Sequence, residues 1–318
     1  MPSRRIDDTV EFVPPMDLGV DFHTPSYPEV HVEFGALSHC GNVRKNNEDQ
    51  YIIVKRRRTR SIIASSLPPA QHPASADDAY VLVVADGMGG QAFGELASTM
   101  ALRAGWELGG HEVSWPGKVT AEEVGELMGK LEGYPLSVQE EIVAQAKEQP
   151  LLNGMGTTFT AAYTIGREAF VTHVGDSRAY LFREDRLMRL TKDHTQAQEL
   201  LDAGLPEDHD RVQHGKHVLT NCLGAHEDEV HVETNHCLLD DQDRLLLCSD
   251  GLTDCVGDAE IADLLSRKME PQASSQALVD LALERGGRDN VTVVIAAYAM
   301  PASGQKPAPS GADDTHNE

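Results

Sequence analysis

The 318-residue sequence predicts an α+β fold in which two β-sheets pack face to face between helices. Three observations lead there. Eight short apolar, β-branched runs are spread along the chain and read as strands. Helical stretches interrupt the strand series in blocks instead of alternating with each strand, which is α+β order and not βαβ order. Two runs, 80–85 (YVLVVA) and 245–249 (LLLCS), are almost continuously apolar, as strands covered on both faces are.

Taken in order, residues 31–38, 50–55 and 80–85 form the first strands through their Val, Ile, Phe and Tyr content. Residues 91–108 follow a Gly pair and read as a helix. Thr120-Ala-Glu-Glu123 and Ser137-Val-Gln-Glu140 are capping-box patterns, each followed by helix formers up to Gln149, and predict two helix starts. Strands resume at 158–165, 169–175 and 179–183. A short helix is expected at 195–203, a strand at 244–249 and a helix at 258–268. Another helix, 274–285, is stopped by Gly286-Gly287, and 290–298 is the last strand.

Hydrophobic residues make up 40% of the chain, which supports a sizeable core and excludes a disordered chain. Aromatics are only 5%, so that core rests on Val, Leu, Ile and Ala. Lys plus Arg total 27 against 51 Asp plus Glu, a net charge of −24. Such a surface repels phosphate backbones, so nucleic-acid binding is not expected. It suits cations and basic peptides, and it also serves solubility. The five cysteines include no C-x-x-C pair and are odd in number, which fits a reducing compartment and no disulfide framework. The first residues lack the apolar segment of a secretory signal, and 291–300 is too short to span a bilayer. A cytoplasmic protein without membrane association is the expectation.

The organisation follows from composition. Residues 1–30 carry five prolines and read as an extended arm. A single domain is expected over 31–299, and 300–318 reads as a disordered low-complexity tail. Ala, Ser and Pro supply 11 of the 16 residues from 61 to 76, so a flexible insertion is expected at about 59–78. It follows the basic run Lys55-Arg56-Arg57-Arg58, which reads either as a solvated strand end or as a dock for an acidic partner.

The informative feature is where the acids sit. Asp86 ends one apolar run and precedes Gly87-Met88-Gly89-Gly90. Asp250 ends another and precedes Gly251-Leu252-Thr253-Asp254. Asp176 follows the run ending at Gly175, Asp289 precedes 291–295, and Glu48-Asp49 precedes 51–54. Any one of these alone reads as a turn or a solvated strand end. Together they gather like charges at strand ends, which repel at low dielectric unless protons or cations join them. Hard divalent ions with oxygen ligands, Mg²⁺ or Mn²⁺, suit such a cluster.

The ordered set resembles the metal-dependent protein phosphatase family, the type 2C serine/threonine phosphatases. The matching stretches are Gly41-Asn-Val-Arg44-Lys-Asn-Asn47-Glu48-Asp49, Asp86-Gly87-Met88-Gly89-Gly90, Gly156-Thr157-Thr158, Gly175-Asp176-Ser177-Arg178, 219–224, Ser249-Asp250-Gly251-Leu252-Thr253-Asp254 and Arg288-Asp289-Asn290-Val291-Thr292. They run in family order over about 32–299. The resemblance implies two antiparallel sheets in a four-layer α-β-β-α sandwich with two Mn²⁺ or Mg²⁺ ions at one end. By motif match, Asp86, Asp250 and Asp289 are the catalytic metal ligands and Gly87 lends a carbonyl. Glu48 and Asp49 serve the second ion directly or through water, and Asp176 with Asp250 resembles a third, weaker site. Arg44 matches the arginine that holds the substrate phosphate, for which a planar bidentate donor fits.

The implied activity is hydrolysis of phosphoserine and phosphothreonine in proteins, the substrates of a serine/threonine kinase, by a water activated between two metals. The alternative is a catalytically silent phosphoprotein-binding module of the same fold. Met88 stands where many eukaryotic members have a histidine acid. A thioether cannot donate a proton, so Met88 points to the bacterial branch and to a metal-bound water as the acid. His194, His209, His214 and His217 have spacings of 15, 5 and 3, which match no standard zinc pattern. Their region, about 193–217, corresponds to the family's flap over the active site.

Overall fold

In a computed structural model of the chain, the described residues are 30–59, 63–64, 76–89, 92–108, 121–225 and 229–300. The expected N-terminal arm, most of the Ala/Ser/Pro insertion and the C-terminal tail lie outside them. The chain opens with β1 (His31–His39), β2 (Asp49–Thr59) and β3 (Ala76–Met88), followed by α1 (Ala92–Leu108) and α2 (Ala121–Glu148). Next come β4 (Gly156–Thr157), β5 (Phe159–Ile165), β6 (Glu168–Val174), β7 (Arg178–Arg183) and β8 (Arg186–Arg189). Helices α3 (Gln196–Asp202) and α4 (Asp210–Gly215) precede β9 (Glu233–Leu238) and β10 (Arg244–Cys248). Helices α5 (Asp250–Thr253), α6 (Asp258–Ser266) and α7 (Pro271–Glu284) lead into β11 (Val291–Ala299).

The strands form two antiparallel sheets. One has the order β1-β11-β10-β7-β8. The other has the order β2-β3-β5-β6-β9, with β4 beside the end of β3. Strand alternation sorts the apolar side chains into layers. In β3, Tyr80, Leu82 and Val84 join the core between the sheets, while Ala79, Val81, Val83 and Ala85 face α1 and α2. In β11, Val294, Ala296 and Tyr298 face the sister sheet, while Val291, Val293 and Ile295 face α6 and α7. Strand β10 divides in the same way, with Leu245 and Leu247 on one side and Leu246 and Cys248 on the other. Three apolar interfaces thus separate four layers, as expected. The continuous apolar runs arise because helices cover the outer face of each sheet. Burial of Leu82, Leu245, Leu246 and Leu247, each fully enclosed, contributes about 1.5–3 kcal/mol per side chain.

Three local expectations change. The two capping boxes between 120 and 149 predict two helix starts, yet α2 is one helix of 28 residues with Pro135 inside it. Ser137 does not cap, since its Oγ donates to the carbonyl of Gly133 at 3.0 Å. Leu127, Leu131, Val138 and Ile142 form one buried face across the proline. That continuous burial outweighs the lost backbone bond. Second, the β2–β3 ladder runs past the expected end at 55 to Thr59 opposite Ala76, so the basic run is the end of a strand, in line with one of its two readings. Lys55 and Arg57 both reach Asp78, at 2.7 Å each. Third, α4 and the edge strands β8 and β9 are additions to the expected elements, because their residues carry no strong apolar period. Among the described residues no helix is long and apolar enough to cross a membrane.

Candidate metal centre

One rim of the sandwich collects the strand ends. Asp49 opens β2 directly opposite Asp86 near the end of β3. At the same rim His39 ends β1 opposite Val291, which opens β11, and Cys248 ends β10 opposite Val293 and Arg178. Asp250, Asp289 and Asp176 therefore project from turns beside one another, on backbone held by ladders on both sides.

Asp49 is 2% exposed and ties the two sheets together. Its Oδ2 accepts from Ser249 Oγ at 2.6 Å and from Thr292 Oγ1 at 2.7 Å. Thr292 Oγ1 lies 2.8 Å from Ser38 Oγ, which accepts from Asn47 Nδ2 at 2.8 Å. These hydroxyls aim one oxygen of Asp49 and leave the other. Asp49 Oδ1 and Asp250 Oδ1 are buried without a hydrogen-bond partner among the described residues. A buried carboxylate oxygen in that state needs a proton or a cation.

The electrostatics agree. Burial, followed by the like charges of Asp49, Asp250, Asp176 and Asp289, pushes Asp86 well above the carboxylate range. Asp250 moves the same way through burial and then Asp176. Burial raises Asp49 to about 6, against the two hydroxyl donors, and raises Asp176 to about 7 with help from Asp193. Glu48 is raised by burial while Arg44 opposes the shift. A divalent cation removes this cost by replacing repulsion with ligation, so the donor set fits hard cations.

Backbone contacts hold the acids in place. The amide of Glu48 donates to Asn290 Oδ1 at 2.8 Å, and the Asn290 Nδ2 donates to the carbonyls of Cys40 and Asn46 at 3.0 and 2.9 Å. Ser98 Oγ on α1 donates to the Glu48 carbonyl at 2.7 Å, and the Gly87 amide donates to the same oxygen at 3.2 Å. A Cβ at Gly87 would overlap the Gly94 backbone, so only glycine lets α1 approach the rim. A Cβ at Gly251 would overlap the Asn290 carbonyl in the same way. Gly251→Ala is expected to cost about 1–3 kcal/mol by forcing α5 away from β11. Urea unfolding tests this, and an unchanged midpoint would mean that α5 is free to slide.

Arg44 lies at the rim, and its Nη2 donates to Asp289 Oδ2 at 2.6 Å. Its side chain is 58% exposed, open to a ligand. The eight predicted positions, Arg44, Glu48, Asp49, Asp86, Gly87, Asp176, Asp250 and Asp289, thus share one rim. Ser249, Thr292 and Ser98, which aim or fasten those acids, carry no signal of that role in the sequence. Asn290 as a clamp is likewise a finding of the structure, although the Asp289-Asn290 pair before a strand was the available signal.

A separate cluster of His173, His194 and Glu233 is already satisfied by protein groups. His173 contacts Thr160 Oγ1 at 2.8 Å and the Lys192 carbonyl at 3.1 Å, while Glu233 accepts from the Lys192 amide and Asn235. His194 Nδ1 accepts from the Gly175 amide at 3.1 Å, and Asn221 Nδ2 sits 2.9 Å from it. These contacts tie the base of the predicted flap to the turn carrying Asp176.

The Protein phosphatase 2C family profile matches residues 70–284. The chain belongs to the protein phosphatase 2C family. It is 37% identical over 268 residues to the serine/threonine protein phosphatase PstP of Mycobacterium tuberculosis, covering 83% of this chain and 45% of that protein. The chain therefore spans about half the length of that relative. It is 33% identical to the serine/threonine phosphatase stp of Listeria innocua, covering 84% of this chain and 95% of that protein. The crystal structure of the PstP catalytic domain in complex with two manganese ions superposes with a TM-score of 0.66 at 35% identity, covering 85% of this chain and 99% of that one.

Proposed function

We propose that this chain is a Mn²⁺- or Mg²⁺-dependent serine/threonine protein phosphatase. The observation that carries the proposal is the convergence of six carboxylates and Arg44 on one rim, with Asp49 Oδ1 and Asp250 Oδ1 buried and partnerless among the described residues. Asp86, Asp250 and Asp289, with the Gly87 carbonyl, would hold one ion of a pair. Asp86, Glu48 and Asp49 would serve the other, and Asp176 with Asp250 a third, weaker one. The two manganese ions of the PstP catalytic domain support this assignment.

When bound, a pair of divalent cations supplies water activated for attack at neutral pH. The protein groups do the positioning. Ser249 and Thr292 fix one oxygen of Asp49 and leave the other without a hydrogen-bond partner among the described residues. Asn290 and Ser98 hold the Glu48 backbone. Arg44 is placed to receive two oxygens of a phosphoryl group through its planar guanidinium. A phosphate or cation at the rim would compete for the present Arg44–Asp289 contact. Met88 offers no proton to a leaving group, so proton delivery falls to solvent.

The substrates are proposed to be phosphoserine and phosphothreonine in proteins modified by a serine/threonine kinase, in a cytoplasmic signalling role. Neither nucleic acid nor a membrane is proposed as a partner. The net charge of −24 and the five cysteines, none in a disulfide, support this setting. The test uses the purified chain with Mn²⁺ and a phosphothreonine peptide. Phosphate release that stops with excess EDTA is expected. Peptide binding without release, across several divalent ions, would instead establish a silent phosphoprotein-binding module.

A further inference from the structure

Asp250 opens the single turn α5 and Asp254 caps its end four residues on, where the Asp254 amide donates to the Asp250 carbonyl at 2.8 Å. That spacing puts both carboxylates on one side of the turn. Over them lies His217, just beyond α4. The next residue is pinned: the Val218 amide donates to the Gly215 carbonyl at 3.2 Å, and the Val218 carbonyl accepts from the Gln196 amide at 2.8 Å. Thr195 and Leu219 pair across the base of the segment. One ligand atom from each of His217, Asp250 and Asp254 lies within 4.8 Å of the others.

We propose that His217 supplies a nitrogen ligand to a divalent cation held by Asp250 and Asp254, so that a bound ion fastens the flap segment to α5. This rests on the reading of the rim as a metal centre and adds to it a ligand from outside the strand-end acids. His217 Nδ1 stands 3.4 Å from Asp254 Oδ2. A charge-assisted hydrogen bond would draw them to about 2.7–2.9 Å. Bonds of about 2.1 Å to a shared cation place neighbouring ligand atoms about 3.0–3.4 Å apart and opposite ones about 4.2 Å apart. The observed spacing suits the cation better than the direct pair. Asp250 Oδ1, buried and without a hydrogen-bond partner among the described residues, is an open ligand position that this cluster shares with the rim acids. The side chains of His217 and Asp254 are 64% and 41% exposed, so an ion can enter and either residue can be replaced without opening the core.

An imidazole in an otherwise oxygen set also changes metal preference. It favours Co²⁺ and Zn²⁺ and adds little for Mg²⁺. The spacing rule against a four-histidine zinc site still holds, because His217 joins acids from a distant turn and not the other histidines.

The test uses the tag-free full chain with Mn²⁺ added in steps, read by electron spin-echo modulation and by calorimetry. A ¹⁴N coupling from a ligated imidazole is expected once the tighter sites are filled. His217→Gln should remove that coupling and weaken the weakest Mn²⁺ step by about tenfold or more. Asp254→Asn should weaken the same step, with the metal-free melting temperature reporting that both variants fold. Mn²⁺ uptake without ¹⁴N coupling, or coupling that persists in His217→Gln, overturns the His217 assignment while phosphate release from the peptide keeps the parent reading intact. No Mn²⁺ uptake at all, with no phosphate release, overturns both.

Discussion

Asp86→Asn is expected to lower phosphate release from a phosphothreonine peptide by on the order of 10³-fold or more, and at the same time to raise the melting temperature of the metal-free chain. The two effects have one cause. Asp86 is buried among Asp49, Asp250, Asp176 and Asp289, and each like charge works against its ionised form. Asparagine keeps the shape and removes the charge, so the metal-free fold loses a source of repulsion. Each 1 kcal/mol recovered raises the midpoint by about 2–4 °C in a domain of this size. The gain disappears when cations are present. Mn²⁺ at about 100 times its dissociation constant stabilises a binding-competent chain by about 2.7 kcal/mol, and Asp86→Asn should forfeit most of that. Thermal scans with and without Mn²⁺, run beside the peptide assay, measure both halves. A variant that keeps its turnover and its Mn²⁺-induced shift would remove Asp86 from the metal centre.

Arg44→Ala carries the second large effect, an expected fall of about 10- to 100-fold in kcat/KM that appears mainly in KM. A hydrogen bond to a charged group contributes about 1.5–3 kcal/mol, and every 1.4 kcal/mol is tenfold. The loss belongs to KM because the guanidinium would hold the phosphate in the bound substrate as well as during reaction. Arg44→Lys should recover only part of it, since an ammonium cannot reproduce the two-point contact. The pairing of Arg44 with Asp289 adds a second reading of the same variant. Freed of its cation, Asp289 should bind Mn²⁺ no more weakly than before. Unchanged kinetic constants in Arg44→Ala would withdraw the phosphate-binding role.

Much of this site is legible in the chain's local patterns. The strand ends that carry Glu48-Asp49, Asp86, Asp176, Asp250 and Asp289 are marked by apolar runs that begin or stop next to an acid beside Gly, Ser or Asn. Both the run and its terminator are local features. The hydroxyls that aim Asp49 are not legible in that way, because Ser249 and Thr292 are 200 and 243 residues away along the chain. Nothing in a Ser or Thr at a strand end says which carboxylate it will meet. The expectation of two helix starts within α2 fails for a related reason. A capping box is a local pattern, and Ser137 is instead carried through the helix by the buried face on either side of it.

By itself the sequence determined the apolar strand segments, though not the edge strands β8 and β9, together with the sorting of their side chains onto two faces and the placing of acids at their ends, because propensity and period act between near neighbours. Only the tertiary structure decided that β2 and β3 from one sheet meet β10 and β11 from the other at a single rim, that Arg44 turns to Asp289, and that His217 comes down over Asp254. Those meetings depend on how whole layers pack. Packing is a sum over many distant contacts, and no short stretch of chain records it.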